Sequence, residues 1–252
     1  MPTTTPTTDS ATAATLPGFK ETQNRDARFR KECNAFADLC AKARSAGKDS
    51  GKLTNGLLHA LVFGARSAAG SVGKESMDAL ARAGRVRKGL YNEDVRPVVS
   101  SLLAFAAKGG AMTEEEFAAR GAEFFAAVGG RADAVFRRLV AVAFPAHACA
   151  VYSDGDFDAL LRGLVREGRA EAPANGGTWL ARCRAVHGAL RAEWAWPDAL
   201  VRSVFARRLA AAAAKAEEDA APEVVPVPKR MVKKEPHGSI LTINREPVPL
   251  AG

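Results

Sequence analysis

Basic side chains are the residues of this sequence whose type and grouping could do chemistry. The net charge is +8, and arginine supplies 24 of the 36 basic residues. A guanidinium group stays charged and binds phosphate through two parallel hydrogen bonds. An arginine-rich positive charge therefore indicates a polyanionic partner such as nucleic acid. The alternative is that a GC-rich genome, which favours both arginine and alanine codons, produces the same composition.

The candidate nucleic-acid contacts form groups at three places in the sequence. If folding brings these groups together, they line a groove that follows a phosphate backbone without reading the bases. If folding keeps them apart, each group is ordinary solvated helix surface. The candidates are Arg28, Arg30, Arg82, Arg85, Arg87, Lys88, Arg131, Arg137 and Arg138.

Further basic and aromatic residues could belong to the same surface. Arg202, Arg207 and Arg208 fall together on the last predicted helix. Aromatic rings stack on any base, so they suit binding without sequence preference, although they are equally suited to a protein core. The aromatic candidates are Tyr91, Tyr152, Trp179, Trp194 and Trp196.

Two histidines and two cysteines have the chemistry of zinc ligands. Cys183 and His187 would share one helix face, and His147 and Cys149 are close together elsewhere in the sequence. Four such side chains could form a tetrahedral site if the fold brought them together. Their spacing matches no established zinc motif, so we favour ordinary packing and predict no metal.

Three aspartates at alternate positions resemble the beginning of a calcium-binding loop. They are Asp154, Asp156 and Asp158. The glycine and the final glutamate of such a loop are missing at the required positions. Acidic residues also favour the first turn of a helix, where the helix dipole is positive, and this explanation is preferred.

The sequence contains none of the common catalytic motifs. It lacks the phosphate-binding loop GxxxxGK[ST], the dinucleotide-binding GxGxxG, the GxSxG nucleophile motif and the HExxH zinc motif. We therefore predict a protein that is not an enzyme and needs no cofactor. The four cysteines are expected to be buried free thiols in a reducing compartment.

The periodicity of apolar residues predicts an all-α body of about eight or nine helices. A Thr113–Glu116 capping box starts one of them, and paired glycines such as Gly129–Gly130 end several. No apolar run is long enough for a membrane span, so we expect a soluble protein without a membrane partner. The predicted helices cover 24–45, 53–69, 74–83, 92–108, 113–128, 131–144 with a continuation to 152, 153–167, 178–194 and 199–218.

Two arms flank this helical body. Residues 1–20 are rich in Thr, Ala and Pro, and residues 220–252 are basic and rich in Pro, whereas the body covers 21–219 with a candidate lobe boundary near 109–112. Arms of this composition cannot bury enough apolar surface to fold alone. A short apolar segment in the second arm, predicted to be a strand, is expected to dock on a neighbouring subunit and so link subunits. Its residues are Ile240, Leu241 and Ile243.

Two short stretches resemble known virus proteins. The sequence Arg137–Pro145 is similar to the apolar, arginine-led helix of phlebovirus- and tenuivirus-like nucleoproteins. The phenylalanine-rich stretch Phe117–Val128 resembles a segment of flexuous filamentous plant-virus coat proteins, without the aspartate found there. The resemblance implies an α-helical coat or nucleocapsid protein with a basic RNA groove and terminal arms that link neighbours.

These patterns together predict a viral coat protein that polymerises and packages single-stranded RNA without sequence preference. The expected partners are single-stranded RNA and further copies of the chain, and the expected locations are the virion and the host cytoplasm. The alternative is a cellular helical adaptor or chromatin-associated protein. In that case Lys229–Lys234 would direct it to the nucleus, and an apolar groove would bind a partner helix.

Overall fold

Eight α-helices make up the described part of the chain. The computed structural model describes residues 27–63, 89, 91–171, 177–194 and 198–220, which contain helices and one 3-10 turn but no strand. The all-α prediction is confirmed for these residues. Outside them lie residues 1–26 and 221–252, the predicted helix at 74–83 and the predicted strand. The helices are α1 (Ala27–Lys48), α2 (Asn55–Phe63), α3 (Val95–Ala107), α4 (Glu114–Val128), α5 (Asp133–Ala143), α6 (Asp154–Arg166), α7 (Trp179–Trp194) and α8 (Ala199–Ala220).

The predicted capping box at the start of α4 is only half formed. The Thr113 hydroxyl accepts a hydrogen bond from the backbone N–H of Glu116 at 3.2 Å, as expected for an N-cap. The Glu116 carboxylate does not complete the box, because it accepts from Arg120 at 2.8 Å. The backbone N–H of Thr113 instead donates to the carbonyl of Ala111. The helix ends as predicted at Gly129, whose φ of 76° suits glycine best.

Helix α1 continues beyond the predicted break at Ser45. Ala46 is buried, and Gly47 lies against α3 so closely that a Cβ atom there would overlap the carbonyl of Leu103. Packing on α3 therefore extends the helix to Lys48, although small residues and glycine alone favour an earlier end.

A largely buried non-helical segment, 144–153, replaces the predicted continuation of α5. Pro145 has no N–H to donate and restricts the residue before it, so the helix ends at Ala143. Side chains then satisfy buried carbonyls of this segment. Trp179 donates to Val151 at 2.8 Å, and Ser203 donates to Ala148 at 3.3 Å. The segment is thereby fixed to both α7 and α8.

The buried apolar side chains of all eight helices belong to one cluster. Helix α1 packs on α3, α2 on α5, and α6 on α8. The candidate lobe boundary near 109–112 falls in the turn between α3 and α4. Residues from both sides of that turn, such as Leu103 and Phe124, belong to the same cluster.

Arg138 lies inside this core and not on its surface. Only 2% of its surface is exposed. Its Nε donates to the carbonyl of Leu61 at 2.9 Å, and Nη2 approaches the carbonyl of Ala60 at 3.5 Å. These carbonyls belong to the last turn of α2, where helical partners are missing. Arg138 thus joins α5 to the end of α2.

Of the four residues considered as zinc ligands, Cys149 and Cys183 contact each other in the core, His187 is also buried, and His147 is half-buried. The backbone N–H of Cys149 donates to Cys183 Sγ at 3.2 Å, and both residues are free thiols. Burial lowers the pKa of His187 to about 4; the Ala148 carbonyl opposes this shift, and the nearby Arg202 adds to it. Among the described residues, no group of three or more His, Cys, Asp or Glu side chains could hold a metal ion.

Replacing Arg138 by Met should lower the free energy of unfolding by about 2 kcal/mol, because the buried carbonyl of Leu61 and the partly buried carbonyl of Ala60 lose a charged donor. Urea unfolding of this variant, with Arg30→Met as an exposed control, measures the effect. If Arg138→Met is as stable as the wild type, the stabilising role of Arg138 is contradicted. The cost of burying its charge would then equal the gain from its hydrogen bonds.

The buried His187 should make the fold sensitive to acid. Its pKa is about 4 in the folded protein and about 6.5 in the unfolded chain. Between these two pH values the unfolded chain binds a proton at His187, whereas the folded protein does not. Stability should fall between pH 6.5 and 4 by about 3 kcal/mol from this group. Urea unfolding at pH 7 and pH 4 should show a smaller loss for His187→Leu than for the wild type. Equal losses would refute this role.

Candidate nucleic-acid interface

The solvent-facing side of α1 carries Arg28 and Arg30, two of the predicted nucleic-acid contacts. This helix contains six basic residues but only two acidic ones, the exposed Asp38 and the buried Glu32. The helix has this orientation because its apolar residues recur every three or four positions and face the core. The opposite face is therefore left in solvent. The buried apolar side consists of Phe29, Phe36, Leu39, Cys40, Ala43 and Ala46.

Three of the basic residues form a line along the helix, called here the basic stripe: Arg30, Arg44 and Lys48. Their spacing places them within about 40° of one another around the helix axis, and Arg30 and Lys48 are about 27 Å apart along it. All three are exposed. Within the described part of the chain, none of them pairs with an acidic side chain. The stripe is thus a row of cations open to solvent.

Two other cations of α1 are ion-paired. Lys42 contacts Asp38 at 2.7 Å, and Arg28 contacts Glu32 at 3.3 Å. Arg28 nevertheless remains 78% exposed in its side chain. Arg28 is therefore a candidate at the edge of this face, whereas Arg30 lies in the stripe itself.

Helix α1 is held to the body by an ion pair at its first turns. Glu32 is buried, and its carboxylate receives a hydrogen bond from Arg208 of α8 at 3.0 Å. The Arg208 guanidinium also lies 5.0 Å from the ring of Phe29, and Phe29 packs edge-on against Phe205. Arg208 thus anchors α1 and is not part of the outer surface. Of its predicted neighbours, Arg202 is buried and Arg207 is half-buried.

The three arginines predicted as contacts at and just before α5 lie in different environments. Arg131 is 79% exposed and pairs with Asp133 at 2.7 Å. Arg137 has a side chain only 12% exposed, because it donates to the carbonyl of Tyr152 and to Asp154, both at 2.9 Å. Arg138 is buried in the core, and we leave it out of the interface.

The aspartates compared with a calcium loop lie at the start of α6, as their helix-terminal interpretation predicts. Ser153 is the N-cap, and Asp154 and Asp156 belong to the first turn. Arg182 of α7 pairs with both Asp154, at 3.2 Å, and Asp158, at 2.8 Å. These carboxylates therefore join α6 to α7.

The remaining candidates are only partly described. Arg82, Arg85, Arg87 and Lys88 lie outside the described residues, as do Trp196 and the side chain of Trp194. Tyr91 is 49% exposed. Tyr152 and Trp179 are buried, so they are core residues and not stacking platforms.

Sequence reasoning missed Arg44 and Lys48. They belong to a loosely spaced run of basic residues, Lys42, Arg44, Lys48 and Lys52, so a search for adjacent basic residues overlooks them. Their positions 14 and 18 residues after Arg30 are close to whole numbers of helical turns, and this spacing was the available signal.

Comparisons with known proteins do not assign this chain to a family or a function. No described helix combines the length and the hydropathy that a membrane crossing requires. No match was found among protein-family models, curated proteins or solved structures.

Proposed function

We propose that this protein is a structural coat protein that polymerises along single-stranded RNA and packages it without sequence preference. The observation that carries the proposal is the basic stripe. Arg30, Arg44 and Lys48 face solvent on a helix whose other side is fixed in the core. A rigid row of cations about 27 Å long can follow a phosphate backbone.

The chemistry of the stripe favours phosphate over bases. Its members are two guanidinium groups and one ammonium group, and the helix positions between them are Asn34, Ala37 and Ala41. None of these intervening residues offers an aromatic ring for stacking. Contacts to phosphate carry no information about base sequence, so binding of this kind suits a protein that coats a whole strand.

In this proposal the arms join the subunits. The segment containing Ile240, Leu241 and Ile243 docks on a neighbouring copy, and the N-terminal arm, residues 1–20, contributes in the same way. Tethering each subunit to the next raises the effective concentration of subunits along the RNA. The assembled particle is the virion, formed in the host cytoplasm.

Removing the stripe should weaken RNA binding and make it less sensitive to salt. In Arg30→Gln/Arg44→Gln/Lys48→Gln, glutamine keeps the helix propensity while three cations are lost. The slope of log affinity against log salt should decrease by about 2, since each contact to single-stranded phosphate contributes about 0.7. Fluorescence anisotropy with a labelled RNA of about 20 nucleotides, long enough for several such contacts, measures both effects.

The matched control removes the same total charge elsewhere. Lys52→Gln/Arg162→Gln/Lys215→Gln replaces three exposed cations that lie off α1. It should bind RNA almost as the wild type does. Equal losses in the two triple variants would show that only net charge matters. Failure of the wild type to bind RNA at low salt would refute the proposed function.

Deleting residues 1–20 or residues 222–252 should abolish assembly on RNA while leaving the helical body folded. The deleted residues lie outside the helices that form the buried cluster. Sedimentation velocity in the presence of RNA measures assembly, and circular dichroism checks the helix content. A truncated protein that still forms the same polymer would contradict the linking role of the arms.

A further inference from the structure

An apolar groove lies between α4 and α5, and none of the residues that line it belongs to α1, the helix that carries the basic stripe. Its volume is about 520 Å³, within the range of ordinary ligand sites. Three phenylalanine rings form its walls, namely Phe117, Phe125 and Phe136. Gly121 lies between them, and a Cβ atom there would approach the Phe136 ring to 3.2 Å. Because Gly121 has no side chain, this part of the groove stays open.

The walls of the groove are held in place by their neighbours. The Phe117 ring stacks on Trp179 at 5.5 Å and also contacts Phe136 at 5.1 Å. Trp179 is buried and is fixed by its hydrogen bond to the carbonyl of Val151. The groove is therefore already formed before any partner binds, which reduces the entropy lost on binding.

The rim of the groove is more acidic than basic. Arg131 is neutralised by Asp133, and Glu114 receives hydrogen bonds from Thr178 at 2.5 Å and Arg184 at 3.2 Å. Glu115 is exposed. Hydrogen bonds from its own backbone N–H and from Thr113 lower the pKa of its carboxyl, so it carries a negative charge at neutral pH.

These charges decide between two kinds of occupant. A nucleotide would bring phosphate close to Glu115, where like charges repel. A short apolar segment that also carries a cation would fill the groove and pair with Glu115. The groove therefore suits a peptide better than RNA.

The C-terminal arm has this combination of residues. In an extended segment, alternate side chains share one face, so Leu241, Ile243 and Arg245 would point the same way. Between Ala220 and this segment the chain has enough residues to extend for roughly 60 Å. The arm of one molecule can thus reach a second molecule.

We infer that the groove between α4 and α5 is the docking site for the C-terminal arm of a second copy of this chain. Leu241 and Ile243 enter the groove, and Arg245 pairs with Glu115 at its rim. This inference deepens the proposed function, because it rests on arms that link subunits and names the surface to which one of them binds.

The test uses a fluorescein-labelled peptide of residues 236–247 and the full-length protein. Leu241→Asp/Ile243→Asp in the protein prevents its own arm from competing. Fluorescence anisotropy should show saturable binding of the peptide. Ala118→Trp, at an exposed position lining the groove, should fill the groove and weaken binding by about tenfold. Ala119→Trp is the control, since this residue is exposed on the same helix but does not line the groove.

Exchanging the charges of Glu115 and Arg245 distinguishes a direct docking contact from a folding defect. Glu115→Lys in the protein and Arg245→Glu in the peptide should each weaken binding by about threefold, as expected for an exposed ion pair. Combining the two changes should restore most of the lost affinity. A folding defect in Glu115→Lys could not be repaired by changing the peptide.

Titrating the same protein variants with single-stranded RNA tests the docking site separately from the proposed RNA-coating function. These titrations use the Leu241→Asp/Ile243→Asp protein, in which the C-terminal arm no longer links subunits, so Ala118→Trp should leave RNA affinity unchanged. A peptide that does not bind, or that binds Ala118→Trp and Ala119→Trp equally, overturns the docking site even if RNA binding persists. Loss of RNA affinity in Ala118→Trp overturns it too, because the groove would then hold bases. If the protein binds the peptide but does not bind RNA, the docking site is supported and the RNA-coating function is rejected.

Discussion

The buried carboxylate of Glu32 is the constraint on which the candidate interface depends. A charge inside a protein is tolerated only when it is paired and hydrogen-bonded. Glu32 meets this condition through Arg208 of α8, with Arg28 of α1 as a second partner. The orientation of α1 around its axis is fixed by this contact together with the apolar side of the helix. The same orientation places Arg30, Arg44 and Lys48 in solvent.

Arginine has two different roles in this fold. Inside the body, Arg138 and Arg137 donate to carbonyls that the backbone leaves without helical partners. Arg182 joins the beginning of α6 to α7 through two aspartates. Arginines held by such internal partners are not available to an external polyanion. The high arginine content therefore overstates the size of any nucleic-acid surface, and the position of each guanidinium group decides its role.

The helices were predictable because their apolar periodicity and their end signals agree. Thr113 and Ser153 begin helices, and Gly129 ends one, as their residue types favour. The segment 144–153 was not predictable in the same way. Its buried carbonyls are satisfied by Trp179 and Ser203, which come from distant parts of the sequence. Local propensity contains no information about such partners.

The candidate site was only partly predictable for a related reason. Arg138 was expected on the surface because it is charged, yet its partner Leu61 lies 77 residues away in the sequence. The sequence alone does not reveal that contact. Arg30 is exposed on α1, and its contact with nucleic acid stays a prediction. Arg44 and Lys48 could have been found from helical spacing, but the groove between α4 and α5 requires knowledge of how the two helices pack.

Negative-stain imaging of the full-length protein, with and without single-stranded RNA, tests RNA coating most directly. At low salt, RNA should convert the protein into filaments or rings whose RNA resists nuclease digestion. High salt should dissolve these particles, because it removes the gain from counterion release. Unassembled protein at low salt, with the added RNA fully digested, would contradict the coating function.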